Sequence, residues 1–249
     1  MIFPGPEGVS ADLLTRTAAQ VGAAELQLPT DDGETLYGWH RSAVQTGPRR
    51  VVLYFHGNAS SVLGQIELQN LLVSEGWDFV EIHYRGYPGS TGIPTEKGVL
   101  EDAQTAWRYV TRELGTEPGR VVIHGRSLGG GVAAQLAARK RPGALVLEST
   151  FTSLVDLAKE HYRLLPVGRL LEHRFMTREL TGEVTSPVLV AHGGGDSIID
   201  VRHGKELARL FHTQEYIEVP NVEHNEVLFS GEPAMRYLRF LESSVPAQQ

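Results

Sequence analysis

The sequence predicts one α/β domain whose mostly parallel sheet is covered by helices on both faces. Strand-like and helix-like segments alternate along most of the chain, as a parallel sheet with crossover helices requires. The run RVVLYFHG (50–57) is almost entirely apolar, which is typical of a strand buried on both faces. No internal repeat and no linker interrupts the 249 residues, so we expect a single domain over 1–249.

The composition limits the classes of function that the chain can have. The net charge of −7 argues against a nucleic-acid-binding protein, because such proteins need a basic surface to displace counterions. The chain has no cysteine, which excludes disulfides, thiolate nucleophiles and cysteine-rich zinc sites. No apolar run approaches the ~20 residues of a membrane span, no H-E-x-x-H motif indicates a metal, and residues 1–10 lack the pattern of a signal peptide. We therefore expect a cytoplasmic enzyme that uses no metal and no cofactor and binds no nucleic acid.

The first half of the chain begins with a predicted hairpin. The segments 24–30 and 35–41 are strand-like, and the turn formers of 31–33 join them. The buried strand 50–57 follows. The next elements are a helix, a strand, a loop rich in turn formers and a second helix, at 62–76, 77–86, 86–98 and about Lys97 to Leu114.

The second half repeats the same alternation. The predicted strands are GRVVIHG, GALVLEST, SPVLVAHG and EYIEV, at 119–125, 143–150, 186–193 and 215–219. Helices are predicted after Ser127, up to Arg141, and over 201–211 and 233–243. The stretch 151–183 contains no clear strand. We interpret it as a short helical insertion, resembling a cap, over one edge of the sheet.

The stretch GRSLG (125–129) matches G-x-S-x-G between a predicted strand and a predicted helix, which is the context of a nucleophile elbow. The tight turn lifts the Ser127 hydroxyl clear of the carboxyl edge of the sheet and aims the N–H of Leu128 toward an anionic oxygen. The alternative is a glycine-rich connection without chemistry. The stretch is neither G-x-G-x-x-G nor a P-loop, so dinucleotide and phosphate sites are poor alternatives.

A serine nucleophile needs a base, and the base needs an acid that orients it. In elbow enzymes the chain order is serine, acid, histidine. Asp196 follows one predicted strand downstream of Ser127, and His224 follows the next. Because both loops open at the carboxyl edge that carries Ser127, we predict that these three residues converge there.

Other acidic and histidine residues are weaker candidates for the same roles. Asp200 is interpreted as the N-cap of the helix at Val201, and His192 as a buried structural residue. The remaining histidines are placed on a helix surface or in the insertion: His203, His212, His161 and His173.

The second oxyanion donor is expected from the loop HGNASS after the third strand. Gly57 permits a sharp bend there, and the N–H of Asn58 or Ala59 is the candidate donor. Ala59 is also a candidate for substrate contact. The candidate walls of an acyl pocket are apolar residues of the insertion, and packing on the sheet edge is an equally open alternative for them: Phe151, Leu154, Tyr162, Leu164 and Leu165.

Six stretches in this order resemble the α/β-hydrolase superfamily: YFHGNASS, YRGYPGSTGIPTEKGVLEDA, GRSLGGG, ESTFTSLVDLA, HGGGDSIIDVRHGKEL and HNEV. More narrowly, they are similar to the branch of small bacterial esterases and membrane-associated protein depalmitoylases. The resemblance covers about 24–242. It implies an eight-stranded sheet with an antiparallel second strand.

The resemblance also implies roles for individual residues: Ser127 as nucleophile, Asp196 as acid, His224 as base, and Asn58 with Leu128 at the oxyanion. The chain departs from the usual pattern of the branch at His83, Pro88, Val222 and Glu223. Members of the branch often carry an N-terminal membrane anchor ahead of a segment such as IFPGP (2–6), so membrane association is expected where such an anchor precedes this chain.

The motifs together predict a serine hydrolase that cleaves a carboxylic ester or thioester, on a small molecule or an acylated protein, through an acyl-enzyme. An aminopeptidase using the same residues is the first alternative, with Glu148 or Glu223 as the site for a substrate amine. A non-catalytic binding protein with the same fold is the second alternative.

Overall fold

The computed structural model describes residues 3–44, 47–161, 171–225 and 227–247. Its centre is one eight-stranded sheet in the order β1-β2-β4-β3-β5-β6-β7-β8. β2 runs antiparallel to both of its neighbours, and all other neighbouring strands are parallel. The predicted fold is therefore confirmed. The strands, in chain order from β1 to β8, are Ala24–Pro29, Thr35–Arg41, Val51–Phe55, Asp78–Ile82, Val121–Arg126, Ala144–Glu148, Val188–Gly193 and Glu215–Val219.

Seven α-helices are described, together with short 3₁₀ segments and a π-helical turn. In chain order from α1 to α7 the helices are Ala11–Val21, Ile66–Ser74, Glu96–Arg108, Leu128–Lys140, Leu154–His161, Arg202–Leu210 and Gly231–Ser244. The 3₁₀ segments are Val62–Gln65, Pro118–Arg120 and Thr177–Leu180, and the π-helical turn is Tyr109–Glu113. None of the helices in the described ranges is long and apolar enough to cross a bilayer.

The central strands are buried on both faces, and successive side chains enter two different cores. Val51, Leu53 and Phe55 of β3 belong to the core beneath α3, α4 and α6. Val52 and Tyr54 belong to the core beneath α2 and α7. This explains the uninterrupted apolar run at β3, since each face of a parallel sheet is covered by helices.

The described part of the insertion contains α5 and the 3₁₀ segment Thr177–Leu180. The Phe175 side chain is fully buried and packs against α4, because a Cβ at Gly131 would lie 3.0 Å from its ring. The Glu96 carboxylate, at the start of α3, accepts hydrogen bonds from the backbone N–H groups of Arg174 and Phe175 at 2.7 and 3.0 Å. These contacts attach residues 174–175 to the helices beside the nucleophile elbow.

Two local features differ from the sequence predictions. The helix α1 was not predicted, although Ser10 caps its first turn and Gly22 ends it with a φ of 69°. The helix predicted over 97–114 begins at Glu96, and the π-helical turn replaces its last residues. Neither difference moves the carboxyl edge of the sheet, where the site residues lie.

Candidate active site

Ser127 occupies a strained turn between β5 and α4. Its φ of 54° and ψ of −120° lie outside the regions that L-residues favour. Two residues hold this conformation: Glu148, at the end of β6, and Thr150, two positions later. The Ser127 N–H donates to the carbonyl of Glu148 at 2.9 Å, and the Ser127 carbonyl accepts from Thr150 Oγ1 at 2.6 Å. A turn held in this way presents the half-buried serine side chain at the sheet edge.

The glycines on either side of Ser127 are required by close backbone packing. A Cβ at Gly125 would overlap the carbonyl of Gly129 and lie 2.6 Å from the Ala133 Cβ. A Cβ at Gly129 would overlap the carbonyl oxygen of Phe55 in β3. The G-x-S-x-G pattern therefore follows from the approach of α4 to the central strands.

Leu128 is the first residue of α4, and its N–H finds no acceptor among the residues that the structure describes. The N–H groups at a helix start have no partner within the helix, and the helix dipole adds positive potential there. An anionic oxygen next to Ser127 is the kind of acceptor that this N–H suits.

Asp196 and His224 form a direct hydrogen bond. The His224 Nδ1–H donates to Asp196 Oδ2 at 2.7 Å, and the two side chains are 8% and 0% exposed. A carboxylate accepts only, so Nδ1 carries the hydrogen and Nε2 is left as the acceptor nitrogen. This is the tautomer that a general base requires.

The loop after β7 fixes the other oxygen of the Asp196 carboxylate. Oδ1 accepts from the backbone N–H groups of Ile198 and Ile199 at 2.9 and 2.8 Å. Both oxygens are thus used in holding the side chain, which leaves Asp196 one orientation toward His224.

His192 also contacts Asp196, which the sequence did not predict. The His192 side chain is fully buried at the end of β7, and its Nε2–H lies 2.8 Å from the Ile199 carbonyl and 3.3 Å from Asp196 Oδ2. The prediction of a buried residue was correct. His192 thus lies beside the Asp196 carboxylate, and the four-residue spacing from His192 to Asp196 was the available signal in the sequence.

The ionised form of Asp196 is favoured within this arrangement. Burial opposes ionisation, but hydrogen bonds from His192, His224 and the Ile199 N–H outweigh it and hold the pKa of Asp196 below its usual value. The carboxylate therefore stays charged beside an imidazole that gains a proton.

The weaker candidates occupy other positions. Asp200 was predicted as the N-cap of α6, but Val201 is the N-cap; Asp200 lies one residue earlier, and its Oδ1 accepts from the Arg202 N–H at 2.9 Å. His212 is exposed just after α6. The surface prediction for His203 was wrong: it is 5% exposed, and its Nδ1 accepts from the Thr152 N–H at 3.2 Å.

Among the insertion histidines, His173 is half-buried, and its Nδ1 accepts from the Glu96 N–H at 3.3 Å. Several other predictions concern residues outside the described part of the chain: the His161 side chain, Tyr162, Leu164 and Leu165.

The loop 57–59 lies directly against Ser127. A Cβ at Gly57 would stand 3.0 Å from the Ser127 Cβ and 3.6 Å from its Oγ. The Ala59 N–H donates to the Pro4 carbonyl at 3.0 Å, so Ala59 is not available as an oxyanion donor. The Asn58 N–H has no acceptor among the described residues. Of the two alternatives left open by the sequence, Asn58 is therefore the better one.

His83 connects the 3₁₀ segment that follows this loop, which begins at Val62, to the loop after β4. Its Nδ1–H donates to the Pro88 carbonyl at 2.7 Å, and its Nε2 accepts from the Val62 N–H at 3.0 Å. Burial lowers the pKa of His83 to about 4, so the ring is neutral and Nε2 can accept. Two departures from the branch pattern, His83 and Pro88, thus form one hydrogen-bonded unit.

Arg126, the residue before Ser127, points into the protein and not toward solvent. Its side chain is 6% exposed, and its guanidinium donates to Gln65 Oε1 at 3.3 Å and to Ser60 Oγ at 3.4 Å. Ser60 follows the loop 57–59, so Arg126 supports that loop from beneath. No motif in the sequence indicated a role for this residue.

The predicted substrate-contacting residues differ in accessibility. Ala59 is exposed at the sheet edge. Phe151 is 2% exposed and lies within the core beneath α4, so the packing alternative fits it better than a role as a pocket wall. Leu154 is half-buried and rests against the same core, so it offers surface to a ligand.

The sequence was compared with models of known protein families. The model described as "Serine aminopeptidase, S33" (Hydrolase_4) matches residues 46–182, which is more than half of the chain. The chain belongs to this family. It is accordingly a member of the α/β-hydrolase superfamily, as the motifs predicted. The matched segment includes Ser127 but ends before Asp196 and His224.

Curated relatives of this S33-family chain include proteins from bacteria and animals. An uncharacterized protein of Mycobacterium tuberculosis is 36% identical over 203 residues, covering 81% of this chain and 72% of the relative. The lysophosphatidylserine lipase ABHD12 of Danio rerio is 33% identical over 189 residues, covering 68% of this chain. The match spans about half of that lipase, 49% of its length.

Solved structures with the same fold include esterases. An esterase of Pyrococcus furiosus, Pf2001, superposes with a TM-score of 0.75 at 17% identity and 98% coverage of both chains. An alpha-beta hydrolase of Vibrio vulnificus has a TM-score of 0.75 at 21% identity, covering 98% of this chain and 88% of its own. At these identities the likeness concerns the fold.

Proposed function

We propose that this hydrolase cleaves a carboxylic ester or thioester through an acyl-enzyme on Ser127. His224 is the base, Asp196 the acid that orients it, and the N–H groups of Asn58 and Leu128 are the oxyanion donors. The hydrogen bond of 2.7 Å between His224 Nδ1 and Asp196 Oδ2 carries the proposal, because it leaves Nε2 as a proton acceptor at the edge where Ser127 lies.

The proposed reaction has two steps, acylation and deacylation of Ser127. His224 Nε2 takes the Ser127 hydroxyl proton while Oγ bonds to the acyl carbon, and the carbonyl oxygen becomes an oxyanion bound by the two N–H groups. The oxyanion collapses, the bond to the leaving oxygen or sulfur breaks, and His224 returns the proton to that atom. Water, deprotonated by the same nitrogen, then adds to the acyl carbon. The bond to Ser127 Oγ breaks, His224 returns the proton to Oγ, and the acid is released.

The relatives support an acyl ester as substrate. One curated relative is a lysophosphatidylserine lipase, and one structural neighbour is an esterase. Leu154 is half-buried and rests against the core beneath α4, so its exposed part is a candidate contact for an apolar acyl chain. We therefore propose a small acyl ester or thioester, or an acylated protein, as the partner that this site takes.

The direct test is turnover of p-nitrophenyl butyrate and of a butyryl thioester by the unaltered protein and by Ser127→Ala. Removal of the nucleophile is expected to lower kcat by at least about 10³-fold while leaving the unfolding midpoint nearly unchanged. The variant Ser243→Ala alters an exposed serine in the last turn of α7 and serves as the matched control. Equal turnover by Ser127→Ala and the unaltered protein would exclude the proposal.

An aminopeptidase is the second candidate, favoured by the description of the matching family. The two proposed amine sites differ. Glu148 is fully buried and hydrogen-bonded to His124 at 3.0 Å, so it does not reach a substrate, and that part of the prediction was wrong. Glu223 is exposed beside His224, and its Oε2 accepts from Ser197 Oγ at 2.9 Å.

Aminoacyl p-nitroanilides separate the two candidates. Ester cleavage predicts that kcat/KM for p-nitrophenyl butyrate exceeds that for alanyl or leucyl p-nitroanilide by orders of magnitude. A preference for the anilides that is lost in Glu223→Gln would instead establish the aminopeptidase.

A further inference from the structure

Phe3 and Pro4, named here the N-terminal strap, lie between the helical insertion and the loop that follows β3. The Phe3 side chain is 5% exposed, and its ring meets those of His173 and Phe175 edge-on, at centroid distances of 5.2 and 6.3 Å. Phe175 itself packs against Gly131 of α4. The strap is therefore anchored, through Phe175, to the helix that begins directly after the nucleophile.

The other end of the strap holds the backbone beside the nucleophile. The Pro4 carbonyl accepts the N–H of Ala59 at 3.0 Å. Ala59 has a φ of 51°, in the left-handed region that alanine rarely adopts, so the surrounding structure must stabilise it. The hydrogen bond fixes the orientation of the peptide unit that joins Asn58 to Ala59.

We propose that the N-terminal strap positions the oxyanion donor of Asn58. Gly57 lies in contact distance of the Ser127 side chain. The peptide unit 58–59, held by Pro4, is joined at the Asn58 Cα to the unit 57–58 that carries the Asn58 N–H, so holding the first restricts rotation of the second. The strap touches neither substrate nor reacting atoms and acts through the backbone of this loop. The inference rests on the proposed function, in which this N–H binds the oxyanion.

An oxyanion donor contributes mainly in the transition state, because the negative charge develops only there. Loss of the strap should therefore lower kcat while KM changes little. An alkylboronic acid that bonds to Ser127 mimics the tetrahedral intermediate. Its inhibition constant should rise by the same factor by which kcat/KM falls.

The test compares Phe3→Ala with Phe3→Leu in the full chain, with p-nitrophenyl butyrate as substrate. Phe3→Ala removes the anchor, and kcat should fall about tenfold or more with less than about a threefold change in KM. The inhibition constant of butylboronic acid should rise by a similar factor. Phe3→Leu, which refills most of the volume, should restore most of both.

Phe240→Ala is the matched control, because Phe240 is also 5% exposed but lies in the core on the opposite face of the sheet. It should lower the unfolding midpoint as Phe3→Ala does and leave kcat near that of the unaltered protein. A kcat for Phe3→Ala that equals that of the Phe240 control would overturn the inference.

Amide hydrogen exchange of Ala59 in the unaltered protein gives a test that needs no variant. The strap predicts exchange at least about tenfold slower than in an unstructured peptide, because the N–H is bonded to Pro4. Exchange at the unstructured rate would refute the strap. An unaltered protein without hydrolase activity would refute the proposed function and this inference together, whereas an active protein with full kcat in Phe3→Ala refutes only the inference.

Discussion

At the residue scale, the nucleophile turn depends on positions where no side chain fits. A Cβ at Gly129 would overlap the Phe55 carbonyl oxygen and lie 2.8 Å from that of His56. Both are backbone atoms next to the central strand β3, and they cannot move aside as a flexible side chain would. The turn at Ser127 therefore needs glycine at position 129, which lets α4 start this close to β3.

Gly129→Ala should destabilise the protein by about 3 kcal/mol or more, because the new methyl group forces α4 away from β3. Hydrolysis should be lost with it. Gly182→Ala is the control: nothing lies within 4 Å of its Cβ position, so its effect should stay within about 0.5 kcal/mol. Urea denaturation measures both, and equal midpoints for the two variants would contradict the account.

His192 is the residue whose role in the site was least visible in the sequence. We predict that His192 positions Asp196. His192→Ala removes the hydrogen bond from Nε2–H to the Ile199 carbonyl and the 3.3 Å contact with Asp196 Oδ2, which should cost about 1.5–3 kcal/mol of transition-state stabilisation, a decrease in kcat of roughly 10- to 100-fold. His192→Gln places a donor near the position of Nε2 and should recover part of the activity. If His192→Ala and His192→Gln have the same kcat at equal folded fractions, the positioning role is wrong.

At the element scale, the loops after β3 and β4 act as one unit because His83 bonds to both. His83→Ala leaves the Val62 N–H and the Pro88 carbonyl without their partner inside the protein, and we expect a loss of about 2–4 kcal/mol in the free energy of unfolding.

Two conservative variants separate the two hydrogen bonds of His83. His83→Gln can still accept from Val62 but not donate to Pro88, and His83→Asn does the reverse. Because Val62 follows the oxyanion loop, His83→Gln should keep more of kcat than His83→Asn, measured with p-nitrophenyl butyrate. The opposite order would show that the β4 loop, and not the oxyanion loop, limits activity.

The elements that the sequence predicted are those with a strong local signal. The apolar run of β3 and the G-x-S-x-G turn are set by burial and steric contact within a few residues, so periodicity and glycine spacing reveal them. The helix α1 was not predicted although Ser10 and Gly22 mark its ends, because it buries only Leu14 and Ala18 and so has a weak apolar pattern. His203 was predicted to be exposed because the residues of its own helix give no indication of the contact with Thr152, which lies in a distant segment.

Contacts between distant segments could not be predicted in the same way. The bond from Ala59 to Pro4 joins residues with no periodic relation, and the sequence offered Ala59 and Asn58 as equivalent donors. The same applies to Arg126, whose partners Gln65 and Ser60 lie in another element. Chain order placed the candidate triad residues at one edge, whereas hydrogen-bond partners required coordinates.

At the scale of the whole molecule, the face of the sheet beneath α2 and α7 contains buried ionisable groups. Glu81 is fully buried in β4, and burial raises its pKa to about 8, an effect that the charge of Arg126 only partly offsets. Between about pH 4.5 and 8 the folded protein therefore holds a proton at Glu81 that the unfolded chain releases. Stability from this group decreases as the pH rises through that window.

Glu81→Gln removes this titration and should stabilise the protein more at pH 8.5 than at pH 5.5. The gain in the free energy of unfolding should increase by at most about 1.4 kcal/mol per pH unit and level off above pH 8. Urea unfolding at several pH values measures it. A gain that does not grow with pH, or a loss at pH 8.5, would mean that Glu81 is ionised in the fold and stabilised by Arg126.

The most direct measurement of the central claim is covalent labelling by a fluorophosphonate, followed by mass spectrometry of the modified peptide. The account predicts one label per chain, on Ser127, that is absent in Ser127→Ala and strongly slowed in His224→Ala. A folded protein that takes no label, or that takes it on another residue, would contradict the account.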